Sequence, residues 1–295
     1  MPELPEVEVV RHSLEPKLRG SRILRVVAGA HPADVVQVPL QDLAHAVERR
    51  RIVGLSRRGK TLLLELDSGA LVTVHLGMTG ELTLAKPGEP YPRHHHLSLV
   101  LDQGRELRYR DVRRFGRIGL VRPGEREQFE RRLGPEPFAP ELTPETFHRR
   151  LHQRRRAIKA LLLEQSFIAG IGNIYADEAL FRAGIYPGRP AGSLSLKETN
   201  QLLASLREVL AEAIARRGTT IRDYRDGLGR PGENQAFLRI YGRAPGSPCP
   251  LCGSTIQRIT IAQRGTTFCP RCQPVAPITA ASRSETAGSS GSRTG

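Results

Sequence analysis

The sequence predicts a multidomain α+β protein, in which a β-rich first half is followed by a helical region and a small metal-binding module. Three observations predict it. Short strand patterns with Gly and Pro turns occur from residue 21 to about 133, helical periodicity replaces them from residue 143, and all four cysteines lie between residues 249 and 272. The chain has 295 residues, 39% of them hydrophobic, which is enough for two domains and a sizeable core.

The first predicted element is a helix over residues 7–19, with Gly20 just past its end. Pro5 is expected to stiffen the segment that leads into this helix. Pro16 lies inside the helical pattern, so the last turn is expected to be broken or kinked.

Two hairpins are predicted next, 61–66 with 70–76 and 97–101 with 106–109, each around a Gly-containing turn. Short strands spaced in this way predict a β-sandwich or barrel that extends to about residue 133. Adjacent histidines on a strand alternate faces, so the run His94-His95-His96 is interpreted as a surface feature and not as a metal site.

A Pro-rich stretch at residues 133–140 predicts an interdomain linker, after which helical signals take over. The Thr-Pro pair at 143–144 predicts a helix start. A capping-box pattern at 195–198 begins a longer helix, which is predicted to stop at Gly218.

Between these helices, amphipathic segments at 157–165 and 174–183 are joined by a turn at 169–173 with two glycines and an asparagine. Backbone amides before a helix can face an anion such as phosphate, but an ordinary helix–helix turn fits equally well. Cationic neighbours favour the phosphate interpretation. They are Arg149, Arg150, Arg154, Arg155, Arg156 and Lys159.

Two Cys-x-x-Cys pairs give the strongest local signal. Sixteen residues separate them (269 − 252 − 1), which suits one zinc ion held by the thiolates of Cys249, Cys252, Cys269 and Cys272. Four thiolates leave no open coordination position, so the zinc is predicted to be structural. Between the pairs, 256–261 and 266–268 predict a hairpin that presents Arg264 at its tip, where it is suited to a phosphate or groove contact.

The chain carries 45 Lys and Arg against 30 Asp and Glu, a net charge of +15. This excess favours a polyanionic partner, most simply nucleic acid, with an anionic membrane as the competing explanation. No apolar run approaches the ~20 residues of a spanning helix, and no signal peptide is visible. Cysteines arranged for metal binding point to a reducing compartment, so a soluble intracellular protein is expected.

The opening Met1-Pro2-Glu3 combines groups suited to covalent catalysis, although such a Pro- and Glu-rich start is also typical of a frayed terminus. Removal of Met1 would leave the Pro2 nitrogen as a terminal secondary amine. An α-amine titrates near ~8, against ~10.4 for Lys, so it is far more often neutral and nucleophilic at pH 7. The Glu3 carboxyl could protonate and deprotonate whatever the amine attacks.

Three stretches, 57–60, 75–80 and 108–117, contain polar residues that a simple sandwich does not need. Met78 and Phe115 stand there among glycines and arginines. Apolar wedges beside cations are how proteins unstack and kink a duplex. For each stretch taken singly, a solvated turn is the competing interpretation.

Together these motifs resemble those of the bacterial formamidopyrimidine-DNA glycosylase family. The opening Pro-Glu-Leu-Pro-Glu-Val-Glu, His-Leu-Gly-Met-Thr-Gly, Arg-Arg-Phe-Gly, Gly-Ile-Gly-Asn-Ile-Tyr-Ala-Asp-Glu and the cysteine pairs occur in the family's order. The resemblance implies an N-terminal β-sandwich with an N-terminal helix, a helix–two-turn–helix domain and a C-terminal β-hairpin zinc finger. It predicts a catalytic domain at 1–133, a linker at 134–142, a DNA-binding domain at 143–243, the finger at 244–273 and a disordered tail at 274–295.

The resemblance also implies a bifunctional enzyme. It would hydrolyse the N-glycosyl bond of 8-oxoguanine and formamidopyrimidines in duplex DNA, and cleave the strand as an AP lyase by β,δ-elimination. One structural zinc, a monomer and a bacterial cytoplasmic location are implied. The catalytic residues are then Pro2 as nucleophile and Glu3 as acid/base, with Lys60 and Arg264 on phosphate and Glu6 as a supporting carboxylate.

Further roles follow from the same resemblance. His75 and Asn173 match phosphate ligands. Met78, Arg113 and Phe115 match the residues that fill the hole left by a flipped nucleotide, with the arginine on the orphaned cytosine. The loop that closes over the lesion includes Thr219, Thr220 and Arg222, and Lys159 joins the DNA contacts because of its cationic neighbours.

Two stretches depart from the family pattern. Val112 stands where a proline is common, so a looser loop is expected there, with Arg113 and Phe115 still in place. Glu233-Asn234-Gln235 stands where an aromatic-containing stretch is expected, which bears on the contacts of the lesion loop and on substrate preference. An endonuclease VIII-like enzyme for oxidised pyrimidines is the rival in the same fold, but Leu4 replaces the Gly of that branch's Pro-Glu-Gly-Pro opening. The hypothesis of a non-catalytic DNA-binding zinc protein explains the charge and the cysteines, but it leaves the Pro-Glu opening without a function.

Overall fold

The computed structural model describes residues 2–275 and confirms the predicted architecture. Two four-stranded antiparallel sheets form the N-terminal half, helices follow, and a two-stranded hairpin lies near the end of the described chain. The domain boundaries given above stay predictions. The predicted tail lies outside the described residues, except for residues 274 and 275.

The two sheets enclose one apolar core, so the first half is a sandwich. Their strand orders are β1-β6-β7-β5 and β2-β3-β4-β8, and both predicted hairpins are confirmed. Burial of a leucine in this core contributes roughly 1.5–3 kcal/mol. The strands are β1 Ile23–Ala28, β2 Ile52–Arg58, β3 Thr61–Leu66, β4 Leu71–His75, β5 Gly80–Ala85, β6 His95–Leu101, β7 Glu106–Asp111 and β8 Arg117–Val121.

The first helix, α1 (Leu4–Leu18), begins three residues before its predicted start. Glu6 Oε2 accepts the backbone N–H of Glu3 at 2.8 Å, and Pro5 lies in the first turn, where a missing N–H costs nothing. The expected break at Pro16 is wrong, because the helix continues to Leu18, which is buried in the core and holds the last turn.

α1 joins the two halves of the molecule. It packs against β2 on one side and against the long helix α7 (Leu196–Ala215) on the other. Leu4 belongs to the core of the helical half, whereas Val7, Val10 and Leu14 belong to the core of the sandwich. From residue 2 onward, this opening segment is therefore fixed between both cores and is not frayed.

The predicted helix caps are confirmed. Thr143 Oγ1 accepts the N–H of Thr146 at 3.2 Å, and Ser195 with Glu198 forms the capping box. The last helix ends at Ala215, three residues before the predicted stop at Gly218. The helices between α1 and α7 are α2 Leu40–Val47, α3 Arg126–Glu130, α4 Pro144–His152, α5 Ile158–Leu162 and α6 Asn173–Arg182.

The surface interpretation of the histidine run is wrong for two of its three members. His95 and His96 are both buried. The His95 ring lies 2.7 Å from Ser98 Oγ, and His96 Nε2 lies 2.8 Å from the Asp111 carbonyl oxygen. Each of these two rings therefore has a hydrogen-bond partner inside the sandwich, so its burial leaves no ring nitrogen pair without a contact.

The C-terminal hairpin consists of β9 (Gln257–Ile261) and β10 (Arg264–Phe268). Its tip is Ala262-Gln263, both with positive φ, and Arg264 begins β10 beside the turn. Arg264 therefore lies one residue past the turn and not, as predicted, at the tip itself. Within residues 2–275, no helix combines the length and the apolar character needed to cross a membrane.

Candidate active site

A cavity of about 820 Å³ lies between the sandwich and the helical half. Cationic and polar side chains from both halves and from the hairpin line it. Nine of the predicted site residues are among them: Glu3, Lys60, His75, Met78, Arg113, Asn173, Thr219, Arg222 and Arg264.

Glu3 places its carboxylate at the N-terminal end of α6. Its oxygens accept the backbone N–H groups of Gly172 at 2.9 Å, Ile174 at 3.0 Å and Tyr175 at 3.4 Å. The partial positive charge at a helix N-terminus favours a carboxylate in this position. Pro2 is buried immediately beside it in the chain. The predicted acid/base is thus held rigidly at the wall of the cavity.

The turn before α6 requires glycine at two positions. A Cβ at Gly172 would lie 2.3 Å from the carboxyl carbon of Glu3, and a Cβ at Gly170, where φ is +88°, would lie 2.6 Å from a Leu4 side-chain carbon. The predicted anion-binding turn therefore exists, but the anion that it binds differs from the prediction. The Glu3 carboxylate, and not a phosphate, accepts these amides.

Glu6 lies behind Glu3 and connects it to the segment after α7. Its Oε1 accepts the hydroxyl of Tyr175 at 2.5 Å and the N–H of Thr219 at 2.7 Å, while its Oε2 accepts the Glu3 N–H. Burial, with a smaller contribution from the Glu3 charge, raises the pKa of Glu6 from 4.5 to about 6 despite these donors. The predicted supporting carboxylate therefore contacts both the predicted catalytic segment and the start of the predicted lesion loop.

The raised pKa makes stability depend on pH with a definite sign. Because folded Glu6 holds its proton more tightly than the unfolded chain, its contribution is present below pH 4.5 and is lost as the pH rises through about 6. The shift corresponds to about 2 kcal/mol. We expect the unfolding free energy of Glu6→Gln, relative to wild type, to rise by about that amount between pH 4 and pH 7.5 in urea titrations. A pH-independent difference would contradict the assignment.

Lys60 lies in the β2–β3 turn, which the predicted linker anchors. Glu136 accepts the N–H of Gly59 at 2.7 Å and guanidinium hydrogen bonds from Arg57 at 2.8 Å and Arg58 at 2.9 Å. Burial lowers the pKa of the Lys60 amine, Glu3 and Glu6 oppose that shift, and Arg264 adds to it. Lys60 is therefore an amine of lowered pKa that lines the same cavity as Glu3.

His75 presents a neutral ring to the cavity. Burial, assisted by the charges of Lys60 and Arg117, lowers its pKa. The backbone N–H of Gly77 donates to His75 Nδ1 at 3.1 Å, so the ring hydrogen resides on Nε2. Such a ring can donate one hydrogen bond to a phosphate oxygen.

The turns that carry Met78 and Phe115 are in direct contact. A Cβ at Gly77 would lie 2.5 Å from the backbone nitrogen of Gly116, so the two turns approach as closely as glycine permits. Met78 and Phe115 are 37% and 50% exposed, and the Arg113 guanidinium lies 4.6 Å from the Phe115 ring centroid. The structure therefore places the three predicted wedge residues in one protruding group.

A buried carboxylate that the sequence analysis missed holds this group. Asp111 accepts the Thr79 hydroxyl at 2.5 Å, the N–H of Gly116 at 2.8 Å and the N–H of Arg113 at 3.2 Å. A lone aspartate among five arginines could have signalled this role. Its neighbours instead suggested a solvated basic face.

The structure corrects the prediction for Lys159, because this side chain is fully buried. Its Nζ lies 2.6 Å from Asp177 Oδ1 and donates to Thr266 Oγ1 at 2.8 Å and to the Gly265 carbonyl at 3.2 Å. Asn173 Nδ2 donates to the same carbonyl at 3.1 Å. Lys159 therefore positions the hairpin that carries Arg264 and does not reach DNA itself.

The four cysteines fit a zinc ion. Their sulfur atoms all lie within 4.8 Å of one another, with 3.8 Å between the Sγ atoms of Cys249 and Cys272 and 3.5 Å between those of Cys252 and Cys269. Tetrahedral zinc with Zn–S bonds of ~2.3 Å requires sulfur separations of about 3.8 Å. Cys249 and Cys269 pack with Phe181 and Ile256 in a small core, so the ion would hold the hairpin against α6.

Loss of one ligand is expected to disconnect the hairpin from the cleft. Cys252→Ser should release the zinc and weaken DNA binding, because Arg264 loses its support. Metal analysis should find about one zinc per wild-type chain and none in the variant, with affinity measured by fluorescence anisotropy. Wild-type affinity in zinc-free protein would contradict this role.

The fold and the site together define a helix–two-turn–helix protein with a zinc finger and a basic cleft. Residues 1–118 match the formamidopyrimidine-DNA glycosylase N-terminal domain, residues 133–225 match the formamidopyrimidine-DNA glycosylase H2TH domain, and residues 246–275 match the zinc finger found in FPG and IleRS. The chain belongs to the formamidopyrimidine-DNA glycosylase family, as its motifs predicted.

Relatives and solved structures agree along nearly the whole chain. The formamidopyrimidine-DNA glycosylase of Thermomicrobium roseum is 50% identical, with 93% of this chain and 100% of the relative covered. The crystal structure of MutM (FPG) from Thermus thermophilus is 46% identical, with a TM-score of 0.82 and 94% and 100% coverage. The Lactococcus lactis Fpg in complex with DNA containing an abasic site is 37% identical, with a TM-score of 0.85 and 92% and 99% coverage.

Proposed function

We propose that this protein is a bifunctional DNA glycosylase and AP lyase that removes oxidised purines, 8-oxoguanine and formamidopyrimidines, from duplex DNA. The observation that carries the proposal is the Glu3 carboxylate, fixed by the α6 amides beside Pro2 at the wall of a cation-lined cavity. Relatives named formamidopyrimidine-DNA glycosylase support it, as does a Lactococcus lactis Fpg variant solved with Fapy-dG containing DNA.

A base inside a stacked duplex is out of reach of a buried nucleophile, so the nucleotide must first leave the stack. Unstacking and unpairing cost a few kcal/mol. Met78, Arg113 and Phe115 would fill the vacated space, and Lys60, His75 and Arg264 would hold the distorted phosphates. The extruded base would then occupy the cavity, against the lesion loop that begins at Thr219.

The chemistry follows from two groups, the terminal nitrogen of Pro2 and the side-chain carboxyl of Glu3. With Met1 removed, the neutral Pro2 nitrogen attacks the anomeric carbon, and the base leaves with the bonding electron pair and takes up the proton that the nitrogen loses. Glu3 then protonates the ring oxygen as its bond to the anomeric carbon breaks, which leaves an iminium on the Pro2 nitrogen. The resulting iminium acidifies the neighbouring sugar proton. Successive eliminations then expel the 3′ and the 5′ phosphate, and water releases the amine. The zinc would contribute only structure, because four thiolates leave it no open position.

The test is borohydride trapping on a duplex that carries 8-oxoguanine opposite cytosine. We expect a covalent protein–DNA complex and, without borohydride, a cleaved strand. An undamaged duplex is the control. Trapping only on oxidised pyrimidines would favour an endonuclease VIII-like enzyme, and binding without trapping would favour a non-catalytic DNA-binding protein.

Chromosomal DNA as substrate implies that the enzyme acts in the bacterial cytoplasm, at the nucleoid. We infer this location from the substrate and from bacterial relatives such as that of Thermomicrobium roseum. We also infer a monomer, since a single chain already brings both halves and the hairpin to the wall of the cavity.

The protruding wedge predicts two separable defects. Phe115→Ala should slow excision about tenfold with little change in non-specific binding, because stacking on an aromatic ring is worth ~1–3 kcal/mol per base. Arg113→Ala should mainly relax the preference for cytosine opposite the lesion. Single-turnover excision against each of the four opposite bases measures both effects. Unchanged opposite-base preference in Arg113→Ala would contradict its assignment.

A further inference from the structure

We propose that Asn234 and Gln235, in the stretch that departs from the family pattern, are positioning residues that fix the base of the lesion loop and so set the capture of an extruded base. The inference rests on the proposed function. It concerns base capture and not the covalent chemistry.

Asn234 is buried and ends a chain of hydrogen bonds that runs to Glu6. Its Nδ2 donates to Thr219 Oγ1 at 2.9 Å, and Thr219 Oγ1 lies 2.9 Å from the Tyr175 hydroxyl. The Tyr175 hydrogen is used on Glu6 Oε1, so the Thr219 hydroxyl must donate to the Tyr175 oxygen. All the hydrogen bonds from Asn234 to Glu6 therefore point the same way, and Asn234 supplies the first donor.

The orientation of the Asn234 amide is itself fixed. Arg216 donates to Asn234 Oδ1 at 3.3 Å, which leaves Nδ2 facing Thr219. Arg216 follows the last residue of α7, so the amide links the end of that helix to the start of the loop.

Gln235 holds the next residue of the loop. Its Oε1 accepts the N–H of Thr220 at 3.0 Å, and its Nε2 donates to the Gly232 carbonyl at 2.8 Å. The Thr220 hydroxyl donates to the Tyr224 carbonyl at 2.9 Å and accepts the Gly232 N–H at 2.8 Å. Thr219 is therefore hydrogen-bonded to Asn234, and Thr220 is hydrogen-bonded to both Gly232 and Gln235.

Beyond this base the loop is open to the cavity. Ile221 is 51% exposed, and it lines the cavity together with Arg222 and Asp223. Residues 221–223 face the cavity, and residues 219 and 220 fix where they begin. The loop can therefore hold an extruded base only if residues 219 and 220 stay in place. Hydrogen bonds from Asn234 and Gln235 thus hold the base of this loop in place.

The test compares two substrates that need the loop differently. Release of 8-oxoguanine needs a captured base, whereas strand cleavage at a preformed abasic site has no base to capture. We expect Asn234→Leu to slow single-turnover base release about tenfold, the cost of one unmade buried hydrogen bond, with abasic-site cleavage within twofold of wild type. Thr219→Val should give the same defect, and the double variant should lose no more than either single variant.

Glu233→Gln is the matched control, since this exposed side chain of the same stretch pairs with Arg217 and with no other cation among residues 2–275, and the change should leave both rates unchanged. Gln235→Ala changes an exposed side chain and keeps the test valid if Asn234→Leu fails to fold; it should also slow base release selectively. Equal losses on both substrates, or no loss, would overturn the inference. The proposed function itself is tested by wild-type protein, which must release 8-oxoguanine and cleave the abasic site. The inference concerns only how the variants differ from wild type.

Discussion

A protein that retains any residue before Pro2 is expected to lose both base excision and strand cleavage, by on the order of 10³-fold or more. If the Pro2 nitrogen is the nucleophile, a preceding residue converts the amine into an amide, whose lone pair is delocalised. DNA binding should persist, because the cationic residues of the cavity are untouched. The comparison is between protein with a processed N-terminus and protein with an uncleaved Met1 or an N-terminal tag.

The experiment must also account for Lys60. Its amine is nearly buried, close to Glu3, and its pKa is lowered by burial, so it is a credible competitor. Pro2→Gly keeps a terminal amine and should retain some borohydride trapping. If tagged protein traps DNA at the wild-type rate and Lys60→Ala abolishes trapping, then Lys60 is the nucleophile and the assignment to Pro2 is wrong.

Glu3→Gln is expected to reduce base release by about 10²–10⁴-fold, the usual contribution of a positioned general acid or base. The amide cannot deliver the proton that ring opening requires. It is also a poorer acceptor for three amide hydrogens that now meet a carboxylate. Single-turnover release of 8-oxoguanine measures the effect.

The same variant keeps the nucleophile, so it should still form a trapped complex with a preformed abasic site. Far-UV circular dichroism and DNA affinity serve as controls for folding. Base release at the wild-type rate would show that the proton comes from elsewhere, with Glu6, whose pKa is about 6, as the nearest alternative carboxyl.

The features that the sequence predicted correctly are local. The capping box at Ser195, the hairpin turns and each cysteine pair involve residues only a few positions apart. Their local sequence therefore determines their geometry directly. Met78 and Phe115 are 37% and 50% exposed, as a wedge requires, but their role as a wedge stays a prediction.

The features that it missed depend on contacts between distant residues. Glu3 and Gly172 are 169 positions apart, so nothing near the glycine turn reveals that the anion it receives belongs to the chain itself. Lys159 was grouped with the arginines around it, although its carboxylate partner, Asp177, lies in the motif that follows that turn. Charge is visible in a sequence, but burial of that charge is not.

The position of Glu3 has a consequence for how such a protein can be recombined. Its helix is rooted in the sandwich, yet the amides that hold its carboxylate come from the other half. Neither half contains a complete active site. Exchanging one half for that of a relative therefore tests whether the contact between Glu3 and the amides of the other half is preserved. A chimaera should be active only where the incoming helical half brings a glycine at the position of Gly172, where any larger side chain would displace the carboxylate.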